Sequence, residues 1–396
     1  MTRATVANRM RSPVPLAAAA VFADYTSLMM VVPLLPLWSR HLGATPLLLG
    51  ALLTAYAAAQ LASTPVLGAL SDRHGRKPIV IASLALSASS FALIAVAGSL
   101  AMLFVARIVG GFGASVVGTA HAIVCDHVPA PRQARAMGCL GAAIGAAHAV
   151  GPALGGALTQ LGPSVPMWVA AVLGVVNTVM TWALLPETRR ETTPDAACEP
   201  APRWRKLLRD NRLRHLAATA LLFGCAIATL ETVLALYIHT ALGWGQSPIA
   251  WLRAYQGTVV MVIQLCIVGR CAARYGERRV ALGALSVVGA GLVVLGLSTT
   301  AVPVLFAVGL IGIGTGLVSP LLATLFSFAS PASSRGAVLG FAHGLTVVAH
   351  LIVPLTATAA FTWSIGTPFL LAGLSCVLGT CLLTRTIQFP RTALSE

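Results

Sequence analysis

Charge is scarce in this 396-residue chain: Asp, Glu, Lys and Arg together make up 9% of it. A soluble domain carries roughly a quarter, so this composition excludes an ordinary water-exposed surface. Acids are scarcer than bases, with 11 Asp and Glu against 26 Lys and Arg, which leaves a net charge of +15. Alternating polarity is missing too. The apolar stretches are continuous and rich in Ala, Leu and Gly, which excludes the strands of a membrane β-barrel. No Gly-x-x-x-x-Gly-Lys-Ser/Thr phosphate loop is present, and neither Gly-x-Ser-x-Gly nor His-Glu-x-x-His occurs. Nucleotide hydrolysis by this chain is therefore unsupported, and neither an enzymatic activity nor a cofactor is expected. The eight cysteines are scattered, and Cys376 and Cys381 lack the spacing of a zinc site. Disulfides and a metal centre are not expected.

What is present is apolar length. Hydrophobic residues make up 57% of the chain, and mean hydropathy is +0.86. A helix needs about 20 apolar residues to cross a bilayer. Twelve such spans are expected, over about 14–38, 46–70, 78–97, 101–125, 136–161 and 165–185, and then 216–242, 249–268, 280–297, 302–326, 336–361 and 367–384. The first is too long for a signal-peptide core and is read as retained. The fold class is all-α integral membrane, with twelve transmembrane helices in two pseudo-symmetric six-helix bundles. Residues 1–186 and 215–396 form the bundles, joined by a polar linker over 187–214.

All Lys and Arg except Arg40, Arg107 and Arg253 fall in the termini, the linker or alternate loops. That bias explains the high net charge without nucleic acid, and by the positive-inside rule it places both termini and the linker in the cytoplasm. The protein is expected in the inner (plasma) membrane as a multi-pass monomer, with the lipid bilayer, protons and a small-molecule substrate as its partners.

The densest island of charge is Gly68-Ala-Leu-Ser-Asp72-Arg73-His-Gly75-Arg76-Lys77-Pro78, between the second and third spans. A weaker copy, Gly269 to Arg279, follows about 200 residues later, with Arg274 matching Arg73, Gly276 matching Gly75 and Ala273 standing where the first copy has Asp72. Gly111 and Gly113 likewise match Gly312 and Gly314, while His148 and Pro152 match His350 and Pro354. Two parallel repeats with a substrate site at the midplane between them describe one common secondary-transporter architecture.

The island resembles the signature cytoplasmic turn of the major facilitator superfamily, Gly-x-Leu-x-Asp-Arg-x-Gly-Arg-Lys, at its expected place. The resemblance implies a gating role for Gly68, Asp72, Arg73, Gly75, Arg76 and Lys77, with Asp126 at the cytoplasmic end of the fourth span joining the network. Ala273 in the second copy implies an asymmetric latch. The fifth span carries Gly145, Ala147, Gly151, Pro152, Gly155 and Gly156. This is similar to the Gly-x-x-x-Gly-Pro-x-x-Gly-Gly motif of drug:proton antiporters in that superfamily, departing at its first glycine, Ala147. Small residues there let helices approach closely. The run Arg107-Ile-Val-Gly110-Gly111-Phe-Gly113 resembles the family's arginine-centred motif linked to proton transfer.

Only two acids lie within spans, Asp24 in the first and Glu231 in the seventh. A charge at the bilayer centre costs roughly 2.5–3.5 kcal/mol even on the lenient insertion scale. A lone carboxylate escapes that cost by binding a proton, which is the property a proton-coupling group requires. Asp24, Glu231 and Arg107 are therefore the candidates for coupling or substrate contact. Aligning the first and seventh spans puts Glu231 opposite Val32, eight residues or about 12 Å below or above Asp24, so the two acids are expected at different depths. Tyr56, Gln60, Tyr237, Tyr255, Gln256 and Gln264 are candidates for lining a cavity. His121, His148, His343 and His350 read as histidines satisfied at helix contacts, and Met29 and Met30 as packing.

The expected function is proton-coupled secondary efflux of small amphipathic or cationic organic compounds, by alternating access. The alternatives are a dedicated exporter of one endogenous metabolite, or a proton-coupled importer. The fifth-span pattern and the few basic residues at midplane disfavour the importer.

Overall fold

A computed structural model describes residues 13–128, 130–186, 210–330 and 335–385. Side chains are described for all of these except 72, 125, 130–135, 335–337, 339 and 343. The fifteen helices among the described residues are α1 (Pro13–Val31), α2 (Leu35–His41), α3 (Pro46–His74), α4 (Arg76–Ala95), α5 (Leu100–Gly113), α6 (Val116–His127), α7 (Ala130–Leu158), α8 (Val165–Leu184), α9 (Asn211–Leu242), α10 (Gln246–Cys266), α11 (Val268–Tyr275), α12 (Glu277–Leu297), α13 (Ala301–Phe328), α14 (Arg335–Trp363) and α15 (Thr367–Thr384). No strand occurs among the described residues. Among the described residues, twelve helical segments are long and apolar enough to cross a membrane. The protein is an all-α, multi-pass membrane protein.

The described residues fall into two compact units, one drawn from 1–191 and 238–258, the other from 192–237 and 259–396. The expected linker 187–214 lies outside the described residues up to 209.

Two expected spans are interrupted. The first divides into α1 and α2 around Pro33, where Leu34 N–H donates to the Val31 carbonyl at 3.0 Å. Proline supplies no donor, so the ladder breaks there. The fourth divides into α5 and α6 at Ala114 and Ser115, and the Ser115 hydroxyl meets that of Ser83 on α4 at 2.6 Å.

The charged island is less of a turn than its composition implies. Helix α3 runs on to His74, and α4 begins at Arg76. Gly75 alone reverses the chain, at φ +99°, with its N–H on the Ser71 carbonyl at 3.1 Å. The second copy repeats this: α11 ends at Tyr275, Gly276 sits at φ +82°, and its N–H reaches the Ala272 carbonyl at 2.9 Å. A residue with a Cβ avoids positive φ, which is the reason for glycine at both points.

The repeat extends into packing. A Cβ at Gly113 would lie 2.8 Å from both Ser83 O and Ser87 N; one at Gly314 would lie 2.8 Å from Ala284 O and 3.0 Å from Val288 N. All three pairs of positions are 201 residues apart. The two copies thus bring the fourth helix of each repeat onto its third through the same glycine.

Helix α8 buries one side and leaves an apolar face outward. On α8, Met167, Ala170, Ala171, Gly174, Asn177 and Thr181 are buried. Trp168, Val172, Val175, Val179 and Trp182 are exposed. The three- and four-residue spacing is that of a helix, and an outward face this apolar is suited to acyl chains rather than water. Core packing in the first unit centres on Ala17, Val21, Val80, Leu84, Val117, Ile123 and Leu140. Buried Asn177 ties α8 to α1 by donating from Nδ2 to the Ala20 carbonyl at 2.9 Å.

Candidate functional site

Asp24 sits one helical turn below Leu28 on α1, and it is 8% exposed. The neighbouring hydroxyls on α1 are satisfied within the helix, Thr26 on the Phe22 carbonyl at 2.7 Å and Ser27 on the Ala23 carbonyl at 3.1 Å. Asp24 instead faces a small cavity with Leu28, Tyr56, Ser87, Ser90, Phe91, Arg107 and Gly110. Helices α1, α3, α4 and α5 each contribute to this wall.

Arg107, on α5 and 3% exposed, lays its guanidinium over the Tyr56 ring with Cζ 4.0 Å from the ring centroid. The ring face carries negative charge density and stabilises a cation there by about 0.5–2 kcal/mol. The Arg107 Nε has no hydrogen-bond partner among the described residues, although buried donors are almost always satisfied. Two glycines make this closeness possible. A Cβ at Gly110 would lie 2.5 Å from Ser90 Oγ, and one at Gly111 would lie 2.6 Å from the Ala59 Cβ. The cavity itself is about 10 Å³, near the space one water centre occupies. A drug-sized ligand needs several hundred Å³. The geometry therefore suits a proton and a water rather than an organic substrate.

Glu231 is in the other unit, on α9, and it is not a lone acid. Its Oε2 lies 2.9 Å from His350 Nε2 on α14. His350 Nδ1 in turn meets the Thr346 carbonyl at 2.8 Å. The pairing crosses 119 residues of sequence. Reading His350 as an ordinary helix-contact histidine missed it; the available signal was a base and an acid each alone in an apolar run. By contrast, His148 bonds locally, with Nδ1 at 2.9 Å from the Ile144 carbonyl and its ring 6.0 Å from that of Tyr25.

The other polar candidates separate by environment. Tyr237 is 1% exposed; its hydroxyl donates to the Leu295 carbonyl at 2.8 Å and also meets the Ser298 carbonyl. Its ring packs edge-on against Phe369 at 5.0 Å. Tyr237 thus ties α9 to α12. Tyr56 lines the cavity beside Asp24. The Gln60 carbonyl accepts from the Ser63 and Thr64 hydroxyls. Tyr255 is exposed, Gln256 Oε1 accepts from Arg253 at 3.2 Å, and Gln264 is half-buried.

At the charged island, Arg76 Nε donates to Asp126 Oδ2 at 2.9 Å, and Arg76 also donates to the Ser71 hydroxyl at 3.2 Å. This joins the α3–α4 junction to the end of α6. The Asp72 side chain lies outside the described ones, as does that of His343. Gly68 has open space where a Cβ would stand, and Arg73 is exposed. In the second copy, Arg278 caps the end of α15, donating to the Leu383 carbonyl at 3.2 Å and the Thr384 carbonyl at 2.5 Å. Cations suit a helix C-terminus.

The glycines of α7 face two neighbours. A Cβ at Gly151 would lie 2.6 Å from the Met29 Cβ, and one at Gly155 would lie 2.7 Å from the Met30 carbonyl, both on α1. A Cβ at Gly156 would lie 3.0 Å from the Ala250 Cβ on α10, and Ser247 donates to the Gly156 carbonyl at 3.2 Å. Met29 and Met30 are packing surface for these glycines. Pro152, inside α7, removes one ladder bond beside them.

Residues 17–267 match the family description Major Facilitator Superfamily. The class G tetracycline resistance protein of Vibrio anguillarum is 30% identical over 367 residues, covering 90% of this chain and 92% of that one. The quinolone resistance protein NorA of Staphylococcus aureus (strain COL) is 24% identical, covering 89% and 90%. Among solved structures, the human organic anion transporter MFSD10 (TETRAN) superposes with a TM-score of 0.71 at 20% identity, over 94% of this chain and 99% of that one. The nucleoside transporter NupG does so with a TM-score of 0.75 at 11% identity, over 96% and 100%. At such identities the structural likeness speaks for the fold.

Proposed function

Because this chain belongs to the Major Facilitator Superfamily, we propose that it is a proton-coupled exporter of small amphipathic or cationic organic compounds. The tetracycline and quinolone resistance proteins among its relatives support the export of drug-like molecules. The observation that carries the proton-coupled reading is the buried Asp24 beside Arg107, in a cavity of water size. A carboxyl there exchanges protons more readily than it binds a bulky ligand.

In this reading the protein sits in the inner membrane as a monomer, with both termini cytoplasmic. Protons enter from outside, neutralise Asp24 or Glu231, and release the substrate outward as the two halves, 1–186 and 215–396, alternate in access. The linker 187–214 lets them do so. Gly68, Asp72, Arg73, Gly75, Arg76, Lys77 and Asp126 form the cytoplasmic gate. Gly145, Gly151, Pro152, Gly155 and Gly156 keep α7 close to its neighbours while it moves. Catalysis of a covalent step has no part in this cycle.

The test uses everted membrane vesicles from cells making the protein, energised to hold a proton gradient. Tetracycline, a fluoroquinolone and tetraphenylphosphonium are added in turn. Export predicts a partial collapse of the gradient with at least one of them, lost in Asp24→Asn at equal protein abundance. An unchanged gradient with all three, from protein that is folded and present, removes the multidrug reading and leaves the dedicated metabolite exporter.

A further inference from the structure

We propose that His350 is the positioning residue of the Glu231 site, and that the two side chains hold one shared proton as a clasp between α9 and α14. This rests on the proton-coupled reading only for its consequence in transport; the pairing itself is tested without substrate.

The hydrogen-bond partners of the imidazole fix its proton count. A carbonyl oxygen can only accept, so His350 Nδ1, at 2.8 Å from the Thr346 carbonyl, must carry a hydrogen. Nε2 lies 2.9 Å from Glu231 Oε2. A bond at that distance needs one proton between them. Either His350 is imidazolium beside a carboxylate, or it is neutral and accepts from a carboxylic acid. Both arrangements hold the same proton count. Removing that proton leaves a ring lone pair facing a carboxylate oxygen, and the two repel. The clasp is closed with one proton and opens without it.

Ionisable residues are sparse on the helices of this unit. Helix α13 carries no ionisable residue, and α15 carries only Cys376 and Cys381. The charges of α12, Glu277, Arg278 and Arg279, are confined to its first turn. On α9 the other ionisable side chains are Arg212, Arg214, His215, Cys225, Tyr237 and His239. On α14 they are Arg335 and His343, and His343 stands two turns before His350. The helices are close enough for the clasp because of Gly224, where a Cβ would lie 3.3 Å from the Ala349 Cβ. Glu231 follows Gly224 by seven residues, which returns it to the same helix face.

Coupling of this kind is reciprocal: whatever His350 does to the proton affinity of Glu231, Glu231 does to that of His350. Full-length protein in proteoliposomes is titrated by infrared difference spectroscopy for the carboxyl and by nitrogen NMR for labelled histidine. The variants are Glu231→Gln and His350→Gln; in the second, the amide still donates to the carboxylate but does not titrate. A carboxyl band present in the parent and absent in Glu231→Gln identifies the group. Its proton affinity should change about tenfold or more in His350→Gln, and the His350 imidazole should change by a similar factor in Glu231→Gln. Thermal unfolding checks that each variant is folded, and either variant suffices alone. Equal midpoints in parent and variant, for the carboxyl or for the imidazole, overturn the proposal. Failure of substrate-driven proton movement with the reciprocal shifts intact would instead count against the export reading alone.

Discussion

The arginine at the centre of the first unit is held by a surface, not by an opposing charge in contact. Arg107 rests on the Tyr56 ring at 4.0 Å, its Nε without a partner among the described residues, beside Asp24. An ammonium has no plane to stack and is more strongly hydrated than a guanidinium. Arg107→Lys is therefore expected to lower proton-driven transport by about tenfold, even though the charge is kept, while Tyr56→Phe, which keeps the ring face, stays near normal. Initial rates of gradient collapse in everted vesicles, at matched abundance, check both. Asp24 was legible in the sequence because an acid in an apolar run is rare. Its setting was not, because the cavity is assembled from four helices that meet only in the fold. Tyr237 shows the converse. A polar residue at membrane depth is conspicuous in the sequence, but its partners are carbonyls 58 and 61 residues away, where no local pattern announces them.

At the scale of helices, glycine position decides approach. Gly113 and Gly314 face backbone atoms of the preceding helix at the same spacing, whereas Gly118 and Gly141 have open space where a Cβ would stand. Adding a methyl at either close contact forces the helices apart, which costs typically 1–3 kcal/mol. In open space the same change removes backbone freedom from the unfolded chain and stabilises a helix by roughly 0.5–1 kcal/mol. Gly113→Ala and Gly314→Ala are expected to lower the detergent unfolding temperature by similar amounts, with Gly118→Ala and Gly141→Ala equal to the parent or above it. Differential scanning fluorimetry on purified protein separates the two classes. The sequence repeat announced this pairing of Gly113 with Gly314. It did not announce that the spans break at Pro33 and Ser115, since hydropathy averages over a single interrupted turn. Nor did it show that α3 stays helical through its charged residues, because a helix end facing water tolerates charge as well as a loop does.

Across the whole molecule the repeat copies packing and drops chemistry. The residues 201 positions after Ser87, Ser90 and Arg107 are Val288, Gly291 and Val308, so the polar cavity of the first copy has no polar counterpart at the same positions in the second. The second repeat has its own acid, Glu231, held by a histidine instead. The charged junction differs in the same way: Arg76 reaches Asp126, while Arg278 reaches the carbonyls at the end of α15. If the Arg76–Asp126 pair works as a gate, its value lies in the opposite signs rather than in the side of each. Breaking one buried or half-buried partner leaves the other uncompensated. Arg76→Asp and Asp126→Arg should each strongly slow the gradient collapse driven by whichever of the three compounds the parent exports. The double exchange should recover most of the parent rate, because it restores the attraction across the same helices. A double variant no faster than either single one would mean that Arg76 acts through its Ser71 contact within the α3–α4 junction, and the gate would then be assigned to the junction rather than to α6. The corresponding loss of Arg278 contacts in Arg278→Ala is expected to lower unfolding temperature while leaving the pH dependence of transport as it is, since only neutral carbonyls are released.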